Sequence, residues 1–372
     1  METPLIELLN DNLTDLENAG QSVRSLTISA GLDRMKRVRE DFERRISALE
    51  EELKGCLRDA RQDRNMDLAW DGLAGEQAKC SRLVRECLAL VEGSLMRAQG
   101  FDGGLCPIAD ALLDEFNEAS QLGWKSFTLP ADGESFADLA EIIRLRFPVT
   151  GIWDLPIAAH EFGHFAAGKM QPRSGESTFS SLEDYRKELQ DAGIERYLDE
   201  FFADAAGTFA LGPAFVRSCL FRRFQPMHAE VQKDECHPSF GRRAYFILEI
   251  LRRMGSSVKE YRVVCDTAGD RWRRAVEAAG KKVVDSDENL KKLAGDLYAF
   301  LKDCARNLEY TRWDRANSLS VQLVWKSDVS LADVLNAAWI TRLTPDALSP
   351  DEISKKSVSV CNEVIRQRDR MR

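Results

Sequence analysis

Two histidines four residues apart with a glutamate between them constrain this chain more than any other feature. They form His160-Glu161-Phe162-Gly163-His164, within the run from Asp154 to Gly168. On a helix, positions i and i+4 share a face, so both imidazoles can reach one metal ion. Glu161 then points to the side where a water on that ion would sit. The flanks favour a helix of this length: Asp154 is placed to act as N-cap, Pro156 falls in the first turn, and Gly168 supplies a stop. The competing reading is a pair of buried core histidines on an alanine-rich helix.

A catalytic zinc takes three protein ligands and keeps one position open for water. The third ligand must therefore come from elsewhere in the chain. The extended metzincin spacing would require a histidine six residues beyond His164, where this chain has Met170, which excludes that class. Glu200 is the best alternative. It opens an ExxxD pattern that puts Glu200 and Asp204 on one helix face. Glu200 can complete a set with His160 and His164, while Asp204 accepts a hydrogen bond from the other ring nitrogen of His160 and sets its tautomer. Gly163, Ala166, Ala203, Ala206 and Gly207 are small enough to let the two helices approach closely.

HExxH, then Glu200-Phe201-Phe202-Ala203-Asp204, then His237-Pro238 followed by Arg243, resembles the gluzincin metallopeptidases. Within them it is most similar to the family of the heat-shock membrane protease HtpX and the CAAX prenyl proteases. The resemblance covers residues 155 to 250. It implies a zincin-like core with a single Zn2+ and a zinc-activated water. Glu161 would act as general base, taking the water's proton and delivering it to the leaving amine. His237 would face the substrate and stabilise the oxyanion, and Arg243 would hold the Glu200–Asp204 helix or the His237 loop. Those relatives have membrane spans and this chain shows none, so their membrane substrates are not carried over.

The rest of the chain sets the context. Its 372 residues carry a formal charge of −9, which argues against a general nucleic-acid partner. No apolar stretch is long enough for a bilayer, since Phe201 to Phe221 is interrupted by Asp204, Gly212-Pro213 and Arg217 and reads as two packed helical pieces. The nine cysteines are scattered, with no CxxC pair and no secretory signal ahead of them, which reads as reduced thiols in the cytoplasm.

Residues 1–100 read as a helical hairpin or coiled-coil-like arm. Met35, Phe42, Leu49 and Cys56 fall on one heptad line and Ile46, Leu53 and Ala60 on the other, interrupted by Arg39; a break follows around Trp70 to Gly75 and a second helix runs from Ala78 to Ala98. Such an arm either packs on its own chain or serves partner binding or self-association. Residues 101–255 form the core, with strands expected at Trp124 to Pro130 and Ile143 to Val149. The stretch from Arg144 to Thr150 is placed to offer a sheet edge to an extended substrate. Gln171 to Asp184 reads as a surface loop, either a lid or a plain connector. A helix from Ile194 into Phe209 carries Glu200, another continues past Gly212-Pro213 to about Phe224, and residues 256–372 are helical.

The fold class expected is mainly α, a zincin-like core with a small β element upstream, flanked by helical regions. The function expected is zinc-dependent hydrolysis of peptide bonds in a cytosolic protein or peptide, either general or dedicated to one partner. The alternative is a helical interaction protein with a silent zinc site, against which an intact Glu161 speaks.

Overall fold

The computed structural model describes residues 66–371 except 126, 133–134, 138–141, 148–150, 174–178, 190, 232–236, 325–327 and 345–347, together with scattered helical positions between 11 and 58. The heptad residues Met35 to Ala60 lie outside the described residues. The first continuous element is α1 (Met66–Ala98). It runs straight through Trp70 to Gly75, so the break expected there is absent. Gly72 and Gly75, without a proline, cost a helix only about 1 kcal/mol each, which the rest of a 33-residue helix outweighs. Lys79 of α1 pairs with Glu52 at 2.7 Å, across 27 residues of sequence.

α2 (Leu105–Ser120) follows, then β1 (Thr128–Ala131), β2 (Ser135–Ala137) and β3 (Ile142–Arg146). The sheet order is β1-β3-β2, with β3 parallel to β1 and antiparallel to β2. This corrects one expectation. β3 is the central strand, and β2 pairs with its residues Ile142 to Arg144, so the sheet edge does not begin at Arg144. The cause is β2, a three-residue strand too short to be legible from alternation.

The core helices come next: α3 (Ile157–Ala167), α4 (Leu182–Glu188), α5 (Ala192–Glu195), α6 (Leu198–Leu211) and α7 (Pro213–Ser218), the last continued by a π-helical turn at Cys219–Arg223. The helix expected from Ile194 is thus split between α5 and α6. α8 (Phe240–Met254), α9 (Glu260–Ala278), α10 (Glu288–Ala305), α11 (Trp313–Ser320), α12 (Leu331–Leu343) and α13 (Pro350–Met371) complete the body. α11 was not foreseen.

The fold is mainly α and zincin-like in arrangement. α3 and α6 are apolar on nearly every face, the pattern of central helices. They lie against each other, and α8 also packs on α6. The hydrophobic core continues from Cys106 to Val364. Cys106, Cys265, Cys304 and Cys361 are buried free thiols. Among the described residues, no helix is long and apolar enough to cross a membrane.

Candidate metal centre

The motif helix is held from behind by aromatic packing. Phe162 meets Phe116 and Trp124 at ring separations of 5.8 and 6.0 Å, and Phe165 meets Trp124 at 4.8 Å. Those contacts leave His160, Gly163 and His164 turned towards α6. Asp154 is not the N-cap. That place falls to Pro156, with no side-chain cap, because the Asp154 carboxylate is drawn to Arg222 at 3.2 Å. Gly168 does close the helix, in right-handed rather than left-handed backbone.

On α6, Glu200, Ala203 and Asp204 fall at helical spacing along the face that meets α3. The approach is close enough that a Cβ built on Gly163 would lie 2.6 Å from the Cα of Ala203. Glycine is therefore required at the crossing of the helices that carry the three candidate ligands.

The ligand atoms converge. His160 Nε2 and His164 Nε2 are 3.2 Å apart, His164 Nε2 is 3.3 Å from Glu200 Oε1, and His160 Nε2 is 3.6 Å from Glu200 Oε2. Ligands bound tetrahedrally at zinc's usual distances stand about 3.3–3.4 Å from one another. The three side chains are thus spaced to share one metal ion. Glu200 Oε2 is buried without a hydrogen bond, with the Arg243 guanidinium beside it at 3.4 Å. The His160, His164 and Glu200 set can hold a metal ion.

The surrounding charges support that arrangement. Asp204 is fully buried and accepts two hydrogen bonds from Arg243, from Nε at 2.8 Å and Nη2 at 2.7 Å. Its Oδ1 also lies 3.0 Å from His160 Nδ1, off the line of an ideal hydrogen bond. Burial opposes ionisation of Asp204, but the Arg243 charge and the bonds from Arg243 and His160 outweigh it and hold the carboxyl below its usual range. Glu200 behaves alike. Burial works against its charge, and the hydrogen bond with His164 and the charges of His160 and Arg243 prevail, keeping it well below the ordinary carboxylate range. At His164, burial disfavours protonation, yet Glu200 and Glu161 raise its pKa overall.

The site thus unites residues that lie far apart in sequence. His237 comes from the segment before α8, with Nε2 3.5 Å from Glu200 Oε1. Ser239 caps α8, accepting from the Arg242 backbone N–H, and the helix carries Arg243 back to Asp204 and to within 3.4 Å of Glu200. His160, Glu161, His237 and Arg243 line a cleft of about 750 Å³. Its wall also contains Arg146, Arg222 and Arg223, which sequence reasoning missed. Arg146 follows from the true position of β3, and the other two from the π-helical turn, for which the sequence carried no signal.

No family model, curated protein or solved structure matches this chain, so its likeness to the HtpX and CAAX prenyl protease family rests on three short motifs.

Proposed function

We propose that this protein is a zinc-dependent metallopeptidase of gluzincin type that hydrolyses peptide bonds in a protein or peptide substrate. The observation that carries the reading is the His160, His164 and Glu200 set, spaced to share one metal ion, with His160 and Glu161 lining one cleft. A zinc ion held by His160, His164 and Glu200 would supply a Lewis acid for the scissile carbonyl and lower the pKa of the attacking water to about 7. Glu161 is the general base, taking the water's proton and returning it to the leaving amine.

His237, partly exposed at the cleft, donates to the developing oxyanion. Asp204 orients the His160 ring through Nδ1, so that Nε2 faces the metal position. Arg243 holds Asp204 and stands beside Glu200, fixing both carboxylates of α6. In this reading residues 101–255 are the catalytic body, 256–372 brace it, and 1–100 form an arm available to a protein partner.

The test is Glu161→Gln in the zinc-loaded full-length chain. It should retain one zinc and lose hydrolysis by at least about 10²-fold. Cleavage is read on unfolded casein, and by comparing new protein N-termini in cells expressing wild type or the variant, which detects a dedicated substrate. Equal activity of the two proteins would remove Glu161 as base, and a wild-type chain that takes up no zinc would remove the reading altogether.

A further inference from the structure

A second cavity opens beside the metal cleft. It measures about 250 Å³ and is lined mainly by the apolar side chains of Phe101, Leu105, Cys106, Pro130, Leu145 and Phe147. Arg146 lines both this cavity and the cleft lined by His160 and Glu161, so the two are neighbours across one side chain. All of these pocket residues precede residue 155, outside the stretch that resembles the metallopeptidases.

Two pieces of backbone build the pocket. On one side are the ends of β1 and β3, where Pro130 stands opposite Leu145 and the Phe147 N–H donates to the Ala131 carbonyl at 2.7 Å. β2 pairs with β3 only as far as Arg144; Leu145, Arg146 and Phe147, all three of which line the pocket, follow directly. On the other side is the turn that leads into α2. There the buried Asp102 carboxylate accepts hydrogen bonds from the backbone N–H groups of Cys106 at 2.9 Å and Gly104 at 3.3 Å. Gly103 and Gly104 take positive φ, 61° and 82°, a conformation open to glycine at no steric cost. The Phe101 N–H donates to the Met96 carbonyl at 3.0 Å. This turn is therefore fixed through its backbone, and yet it leaves Phe101 64% exposed. A phenylalanine held in water at the edge of an apolar pocket gains hydrophobic stabilisation when an apolar group covers it.

The polar groups of the pocket show that it binds rather than reacts. Asp102 is committed to the turn, and Cys106 is 1% exposed, its thiol pushed well above the ordinary range by burial. Neither is a base or a nucleophile there. An apolar cavity of about 150 Å³ is enough to hold a benzene ring, so this one accepts a side chain the size of leucine or phenylalanine.

We infer that this pocket takes a large apolar side chain of the peptide substrate while the scissile bond lies in the adjoining cleft, so that Phe101, Leu105 and Leu145 select aromatic or branched aliphatic residues. The inference rests on the metallopeptidase reading and names its substrate class. The occupant follows from continuity: a chain that passes Arg146 leaves the cleft and enters the pocket.

Binding of peptide hydroxamates to the zinc-loaded full-length protein tests this without requiring turnover. In a tetrapeptide series, one position at a time carries Ala, Leu, Phe or Asp in a Gly background, and affinity is read by calorimetric titration. At one position the Phe or Leu probe should bind about tenfold tighter or more than the Ala probe, with a more negative heat-capacity change. Phe101→Ser should bring that ratio towards one while keeping one bound zinc and the affinity for the Ala probe, and Phe101→Leu should retain most of it. Val321→Ser, at an exposed residue that lines neither cavity, should leave the ratio unchanged. The inference is overturned, with the zinc site left standing, if no position prefers an apolar side chain or if the preference survives Phe101→Ser intact. It is overturned equally if Phe101→Ser breaks a dimer in sedimentation and leaves the preference unchanged, which would give the pocket to a second copy of this chain. Failure of every hydroxamate to bind overturns the metallopeptidase reading, and this one with it.

Discussion

Replacing Gly163 by Ala tests whether the metal centre depends on how closely α3 and α6 approach. The added Cβ would lie 2.6 Å from the Cα of Ala203, 3.1 Å from its carbonyl oxygen and 3.2 Å from its Cβ. Carbon atoms pack at about 3.5–4.0 Å, so the helices must part by about 1 Å, and backbone cannot swing aside as a side-chain tip can. Two ligands ride on α3 and one on α6. The spacing of 3.2 Å between His160 and His164 would survive, whereas the 3.3 and 3.6 Å separations from Glu200 would open. Metal sites tolerate errors of about 0.2 Å in ligand distance. Zinc affinity should therefore fall by about 100-fold or more, a loss at least as large as disrupting the groups that support metal ligands. The apo chain should lose about 1–3 kcal/mol from overpacking.

A chromophoric chelator competing for zinc reads the affinity, and urea unfolding of the apo protein reads the stability. Gly168→Ala is the control, since its added Cβ meets nothing within 4 Å. Adding Ala203→Gly to Gly163→Ala should give little rescue, because the closest clash is with Cα. Wild-type zinc affinity in Gly163→Ala, or full rescue by Ala203→Gly, would refute the reasoning.

Two further outcomes are expected. Arg243→Met leaves the fully buried Asp204 carboxylate with His160 alone and should destabilise the apo chain by about 3–5 kcal/mol; a loss below about 1 kcal/mol in urea unfolding would show the pair to be dispensable. Glu115 supplies a pH dependence away from the metal. Burial pushes its carboxyl up from 4.5 to about 7 despite the pull of Arg368, so its contribution is fully present below about 4.5 and is lost as pH rises through 7. The shift corresponds to at most about 3 kcal/mol. Glu115→Gln should accordingly flatten the fall in apo-chain melting temperature between about pH 4.5 and pH 7, and an unchanged profile would assign that fall to other groups.

Where the sequence was legible, the physics was local. The pairing of His160 with His164 and of Glu200 with Asp204 follows from the helical repeat, which depends only on neighbours along the chain. The small residues Gly163 and Ala203 could be recognised as permitting close approach, though not as meeting at one point. The break expected at Trp70 to Gly75 is absent because two glycines, Gly72 and Gly75, without a proline are a weak signal. The start of the sheet edge was not legible because β2 is too short to reveal itself, and it covers β3 from Ile142 to Arg144.

The chain by itself therefore determined two half-sites: a histidine pair with its base on one helix, and a glutamate and aspartate on another. Only the tertiary structure decided that they face each other across Gly163. It also brought Arg243 from 39 residues away to neutralise Asp204, and His237 to the side of Glu200. The arginine wall of the cleft belongs to the same class. Its members come from a strand end and a π-helical turn, and only long-range packing could place them on one surface, because no periodicity links positions separated by 76 residues.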